Sequence, residues 1–194
     1  MGAAFAVALA LALMTLVIQG TGPEGVRMGL RVTARWAFLL FWPAYAGGAI
    51  ATLFGPGFQT LARRGREFTL AFAAALLVHG GLVVWLFHLS VRPPVSNRTL
   101  IIFGTGLIWA SLLALLSIRS LSGMLPSRIQ WIVSTVAIEY LALAFLFDFA
   151  RNPFRGSLLN LVAYLPFLFL AVAGPVLRVA ALAWRWSQAR RPAG

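Results

Sequence analysis

Four side chains combine chemical capability with unusual placement: His79, His88, Glu139 and Asp148 all fall within long apolar stretches. Ionisable groups are costly in such surroundings, so each needs a partner or a task. His79 lies near the middle of its stretch and is followed by Gly80 and Gly81. A neutral imidazole is a good axial ligand for haem iron, and small residues let a flat cofactor or another helix come close. The same histidine can equally serve as a polar bond to a neighbouring helix. His88 lies half a helical turn off the His79 face, close to the end of the stretch, where water contact accounts for it. Glu139 lies about ten residues into its own stretch, which puts it at nearly the depth of His79. A buried carboxylate needs a partner or stays protonated, so His79 and Glu139 are expected to form a polar intramembrane pair. Asp148 is expected to pair with Arg151 at the interface.

The elements that must position these groups follow from composition. Of 194 residues, 61% are hydrophobic and only 10% are charged. A soluble domain is about half apolar and roughly a quarter charged, so an ordinary soluble protein, a disordered chain and a coiled coil are all excluded. Six runs reach the roughly 20 residues that a bilayer core requires: about 3–19, 36–55, 68–91, 99–118, 129–150 and 157–177. None shows strand alternation. Lipid offers the backbone no hydrogen bonds, so the runs are predicted to be α-helices. The expected fold class is all-α, an integral membrane bundle of six transmembrane helices forming a single domain over 1–194. The stretch 178–194 is expected to be a basic cytoplasmic tail. No piece between runs is long enough for a flavin or nucleotide domain, so such a domain would belong to another chain.

The 16 basic residues are all arginine and outweigh 4 acids, giving a net charge of +12. They fall between the apolar runs, as topology signals do, and nothing suggests nucleic-acid binding. With the N-terminus inside, the cluster Arg63-Arg64-Gly65-Arg66 and the arginines from Arg178 to Arg191 face the cytoplasm. Both termini are therefore expected there. The 63–66 cluster suits phospholipid headgroups and suits plain topology control equally well. Trp36, Trp131, Trp184 and Trp186 sit near run ends, where interfacial anchoring is expected. The first run lacks a basic segment before it and is read as a retained helix rather than a cleaved leader. Cysteine is absent, which excludes thiolate metal sites and a cysteine nucleophile in this chain.

The order of features has a parallel. Val32-Thr33-Ala34-Arg35-Trp36-Ala37 opens the second run, and Leu61-Ala62-Arg63-Arg64 leads into the third, with its central His79. Leu116-Ser117-Ile118-Arg119-Ser120 closes the fourth run. Leu125-Pro126-Ser127-Arg128-Ile129-Gln130-Trp131 then precedes a run containing Tyr140. Over roughly residues 30–150 the chain resembles the ferric reductase-like transmembrane family. It looks closest to the branch with the haem-binding membrane subunit of the periplasmic methionine sulfoxide reductase. The resemblance implies a six-helix bundle, b-type haem, electron transfer to a separate redox partner protein, and residence in a bacterial inner membrane. It also implies that His79 is a haem axial ligand. The family's fifth helix carries two further histidines, one about four residues before the tyrosine and one about nine after it. Here those positions hold Val136 and Phe149, so the ligand set is incomplete. A second ligand would come from another chain, such as His79 of a symmetry mate in a homo-oligomer. The alternative is a haem-free structural or assembly subunit of a larger membrane complex. In that case the His79–Glu139 pair stands in the cofactor's place, and the helices are expected to close with the help of Gly80 and Gly81.

Overall fold

The structure is a computed structural model that describes residues 1–118, 126–151 and 158–190. Among these it contains seven α-helices and no strand: α1 (Gly2–Gln19), α2 (Pro23–Phe54), α3 (Gln59–Arg63), α4 (Gly65–Leu89), α5 (Asn97–Leu116), α6 (Ser127–Arg151) and α7 (Leu158–Ala189). All but the short α3 are long and apolar enough to cross a bilayer. The chain is therefore an all-α integral membrane protein, as the run lengths predicted.

Two helices depart from the expected boundaries. α2 begins at Pro23 rather than near 36, and α7 continues to Ala189 rather than ending near 177. Arginine can continue a helix without penalty, so charge ends an apolar run without ending the helix that carries it. Most of the expected basic tail is thus the last three turns of α7. At 32 residues each, α2 and α7 are about 48 Å long, well beyond a hydrocarbon core of about 30 Å. The segment leading into the third run is a 3-10 turn, Pro56–Phe58, followed by α3, which carries Arg63.

The chain divides into two compact units, residues 1–41 with 67–141 and residues 42–66 with 142–194. In the first, α1 offers Ala4, Ala8, Ala12 and Leu16 as one buried stripe at four-residue spacing, the repeat of a single helix face. Ala12 and Leu16 pack with Val26 of α2 and with Leu82 and Leu86 of α4. Lipid tails are as apolar as leucine, so close packing and hydrogen bonds must join the helices. Trp36 Nε1 donates to the Ala4 carbonyl at 3.1 Å, and Tyr140 Oη donates to the Ile102 carbonyl at 2.9 Å. Trp36 is thus well inside α2 and bonded to α1. It was expected to anchor the interface, and its partner Ala4 lies in the first turn of α1, so the ring stands level with one end of that helix. The Tyr140 bond ties α6 to α5, beside Gly106, where a Cβ would meet both Leu141 and Tyr140 at 3.8 Å.

In the second unit, Phe149 is 1% exposed and packs against Phe145, Tyr164 and Phe167. The final part of α2 lies against α7, with Trp42 Nε1 donating to the Leu170 carbonyl at 2.7 Å. Gly174 makes that approach possible, since a Cβ there would meet the Tyr45 ring at 2.9 Å. Gly174→Ala is expected to destabilise the protein by about 1–3 kcal/mol through overpacking. Gly104→Ala, where a Cβ meets no described atom within 4 Å, should be neutral or slightly stabilising through helix propensity. Unfolding in mixed micelles would compare the two; equal effects would show that the Tyr45 contact does not limit residue 174.

Candidate functional site

The candidate site lies within the first unit, where α4 meets the early part of α2. Thr33 sits four residues after Gly29 on α2 and is fully buried. A buried hydroxyl in a helix satisfies itself by bonding back to its own backbone. Thr33 Oγ1 accordingly donates to the Gly29 carbonyl at 2.8 Å, with the Leu30 carbonyl at 3.3 Å. Nδ1 of His79, on α4, lies 3.0 Å from the same oxygen.

That geometry sets the tautomer of the histidine. A hydroxyl has one proton to give and two lone pairs to accept with. Two oxygens at 2.8 Å repel each other unless a proton lies between them, so the Thr33 proton is committed to Gly29. The threonine oxygen must then accept, and Nδ1 of His79 must carry the proton it donates. In a neutral ring this leaves Nε2 unprotonated, with its lone pair directed away from Thr33. Metal-ligating histidines use this arrangement: one ring nitrogen donates to an oxygen and so orients the other.

The neighbours of the pair are apolar. Gly29 faces Leu82 and Thr15, whose atoms would lie 3.2 and 3.0 Å from a Cβ there, so the backbone that accepts the Thr33 proton is closely packed. Leu82 and Val78 on α4 belong to the cluster with Val26 and Leu30 on α2. This cluster holds α2 against α4 on one side of the Thr33–His79 bond, and the Phe41 and Phe72 rings, 5.3 Å apart, do so on the other. At Gly80 and Gly81, by contrast, a Cβ would meet no described atom within 4 Å. The expected close approach of a helix at these glycines is therefore not made by any described residue.

The other expected residues occupy separate places. His88 is exposed in the last turn of α4, where its Nδ1 lies 3.1 Å from the Val84 carbonyl of its own helix. It takes no part in the Thr33 site. Glu139 is half-buried on α6, in the same unit as His79, and the bond drawn from His79 Nδ1 goes to Thr33. Asp148 is half-buried near the end of α6 in the second unit. Its expected partner, the Arg151 side chain, lies outside the described residues. Val136, at a family ligand position, is exposed on α6, and Phe149, at the other, is buried among aromatic rings. Among the described residues no cluster of three or more His, Asp or Glu side chains is placed to hold a metal ion. Thr33 is the residue that the sequence reading passed over. Its signal was present: a hydroxyl inside an apolar helix, in need of a partner.

Comparison with protein families, curated proteins and solved structures returns no match to this chain. What the fold and site define directly is a polytopic α-helical membrane protein with a part-buried threonine–histidine bond joining two of its helices.

Replacing Thr33 with valine keeps its volume and removes the acceptor. Thr33→Val is expected to cost about 1–2 kcal/mol of stability, the range for an interhelical bond in lipid. It should also release the His79 tautomer, which 15N NMR of the imidazole would report. An unchanged His79 spectrum would show that the ring is oriented by something else.

Proposed function

We propose that this chain is the membrane subunit of an electron-transfer system of ferric reductase-like type, with His79 serving as a haem axial ligand through Nε2. The observation that carries the proposal is the placement of His79 Nδ1 3.0 Å from Thr33 Oγ1, itself 2.8 Å from the Gly29 carbonyl, which favours the tautomer that leaves the other nitrogen of this half-buried imidazole as a lone-pair donor. This donor suits one axial bond to b-type haem iron. Val136 and Phe149 cannot supply a second, so the protein's own ligand set is half of a bis-histidine pair. The other half would come from a partner chain, including His79 of a second copy.

When bound, haem supplies one-electron redox chemistry. The chain's own contribution is to orient and to exclude water. Thr33 holds the ring, the packed Gly29 backbone holds Thr33, and the apolar cluster around Leu82 and Val78 keeps water from the bond. Electrons would enter and leave through a separate redox partner protein. Glu139 is the second polar group proposed at this depth; with Nδ1 of His79 given to Thr33 and Nε2 to haem, it would turn aside and contact another group, and it pairs with His79 only in the haem-free reading.

A second reading draws on the same bond. Because Thr33–His79 already links α2 to α4, the protein also suits a haem-free structural or assembly subunit of a larger membrane complex, with the His79–Glu139 pair as its polar link. The absorption spectrum separates the two. In the haem reading, the purified protein shows a Soret band that His79→Ala abolishes while the chain still inserts. His88→Ala leaves the band in place, and Thr33→Val weakens haem affinity by about 10–100-fold, as loss of a ligand-orienting bond does. Absence of a band in the wild type, or a band unchanged in His79→Ala, overturns the haem reading.

We also propose residence in a bacterial inner membrane with both termini cytoplasmic, supported by the arginine cluster at 63–66. Reporter fusions after residues 60 and 95 should give cytoplasmic and periplasmic signals respectively. The opposite pair of signals would reverse the orientation.

A further inference from the structure

In the second unit, arginines gather around α3 and on the later half of α7, alongside the late part of α2. Residues 42–66 and 158–190 contain Arg63, Arg64, Arg66, Arg178, Arg185 and Arg190 and no carboxylate. The unit's only acid is Asp148, near the end of α6, and the next acid along the chain from Arg66 is Glu67, where the first unit resumes.

The arginines stand at defined heights along α2. Arg178 Nη1 donates to the Tyr45 carbonyl at 3.2 Å, and its guanidinium lies over the Tyr45 ring, 4.7 Å from the centroid. Arg185 Nη2 donates to Thr52 Oγ1 at 2.8 Å. Both bonds join residues 133 apart, so α2 and α7 run in the same direction, and the two arginines lie two turns apart on one seam. α3 runs back along α2 in the opposite sense. A Cβ on Gly47 would meet Leu61 at 3.2 Å, and one on Gly65 would lie 4.0 Å from the Ala44 carbonyl. Arg63 and Arg64 therefore lie at the height of residues 44–47, level with Arg178. Positions 45 and 47 are about 200° apart around a helix, so these arginines flank α2 on both sides.

Aromatic side chains accompany the arginines. Phe54 and Phe58 are in edge contact at 6.1 Å, and both are exposed. Trp184 and Trp186, on either side of Arg185, are 49% and 63% exposed. Exposed tryptophan mixed with arginine at the end of apolar helices matches the headgroup layer, where ring and guanidinium each find their preferred surroundings. An acidic protein surface would satisfy the charge but would leave four exposed aromatic rings without a reason.

We propose that this end of the second unit binds anionic phospholipid, with the phosphodiester headgroups held by Arg63, Arg64 and Arg185 and the aromatic rings set among the upper acyl chains. Arg178 positions the site by fixing α7 against α2. This goes beyond topology control, which needs charge on one side of the membrane but no preference for one lipid over another.

The test uses the full-length protein in vesicles of phosphatidylcholine with added phosphatidylglycerol, followed by mild detergent extraction and native mass spectrometry of the retained lipid. The wild type should retain phosphatidylglycerol in several-fold excess over its share of the bilayer. Basic residues near an anionic surface are each worth about fivefold in partition, so Arg63→Gln/Arg64→Gln should remove most of that excess. Arg185→Gln should lower it further. Arg63 and Arg64 are exposed, and circular dichroism of the double variant should match the wild type. Arg92→Gln, on the exposed segment between α4 and α5, should leave retention unchanged. Raised salt should reduce retention in the wild type. No excess in the wild type, an equal excess in Arg63→Gln/Arg64→Gln, or an equal loss in Arg92→Gln overturns the proposal. So does retention of an acidic protein in place of lipid when the chain is extracted from native membranes.

Discussion

Every polar group that enters lipid must be satisfied by the protein itself, and the rest of this structure depends on how that is done. A helical carbonyl already accepts one backbone N–H, but it has a second lone pair. That second lone pair is where the helices are joined: Trp36 bonds to Ala4, Tyr140 to Ile102, and Trp42 to Leu170. Within one helix, Thr33 uses Gly29 in the same way and so turns its own oxygen into an acceptor for His79. Among the described residues no buried side-chain nitrogen or oxygen is left without a partner. The state of the candidate ligand is thus a consequence of a general demand of the bilayer, expressed through one threonine.

Close packing is the second means by which the helices are held, and it is local. α1 presents alanines, so the α2 and α4 side chains Val26, Leu82 and Leu86 can reach its surface. Gly174 has no side chain because the Tyr45 ring takes that space. Gly80 and Gly81 are also small residues on an apolar helix, yet no described atom approaches them. Glycine permits close approach without causing it; the residues opposite decide whether the space is used.

The two units use polar side chains differently. The first holds a histidine whose proton is placed by an uncharged hydroxyl, in apolar surroundings. The second carries Arg178 and Arg185, whose guanidinium groups are fixed to a helix carbonyl and a hydroxyl oxygen of α2. An uncharged threonine–histidine bond and a cationic, aromatic helix end make different demands on their surroundings, apolar for the one and polar for the other.

The number of spanning helices and the all-α class were legible in the sequence, because each run of about 20 apolar residues in lipid has a single way to satisfy its backbone. The need of His79 for a polar partner was legible too, since an ionisable residue in the middle of an apolar run demands one. Helix ends were not, because arginine halts hydropathy without halting a helix; α2 therefore starts at Pro23, and most of the expected tail became α7. The partner drawn to His79 Nδ1 was also out of reach. Depth along a helix can be counted from a sequence, and it marked Glu139 as a candidate. Rotation about the helix axis depends on which faces pack, and only the tertiary structure, by setting α4 against α2, decided that the Nδ1 proton goes to Thr33.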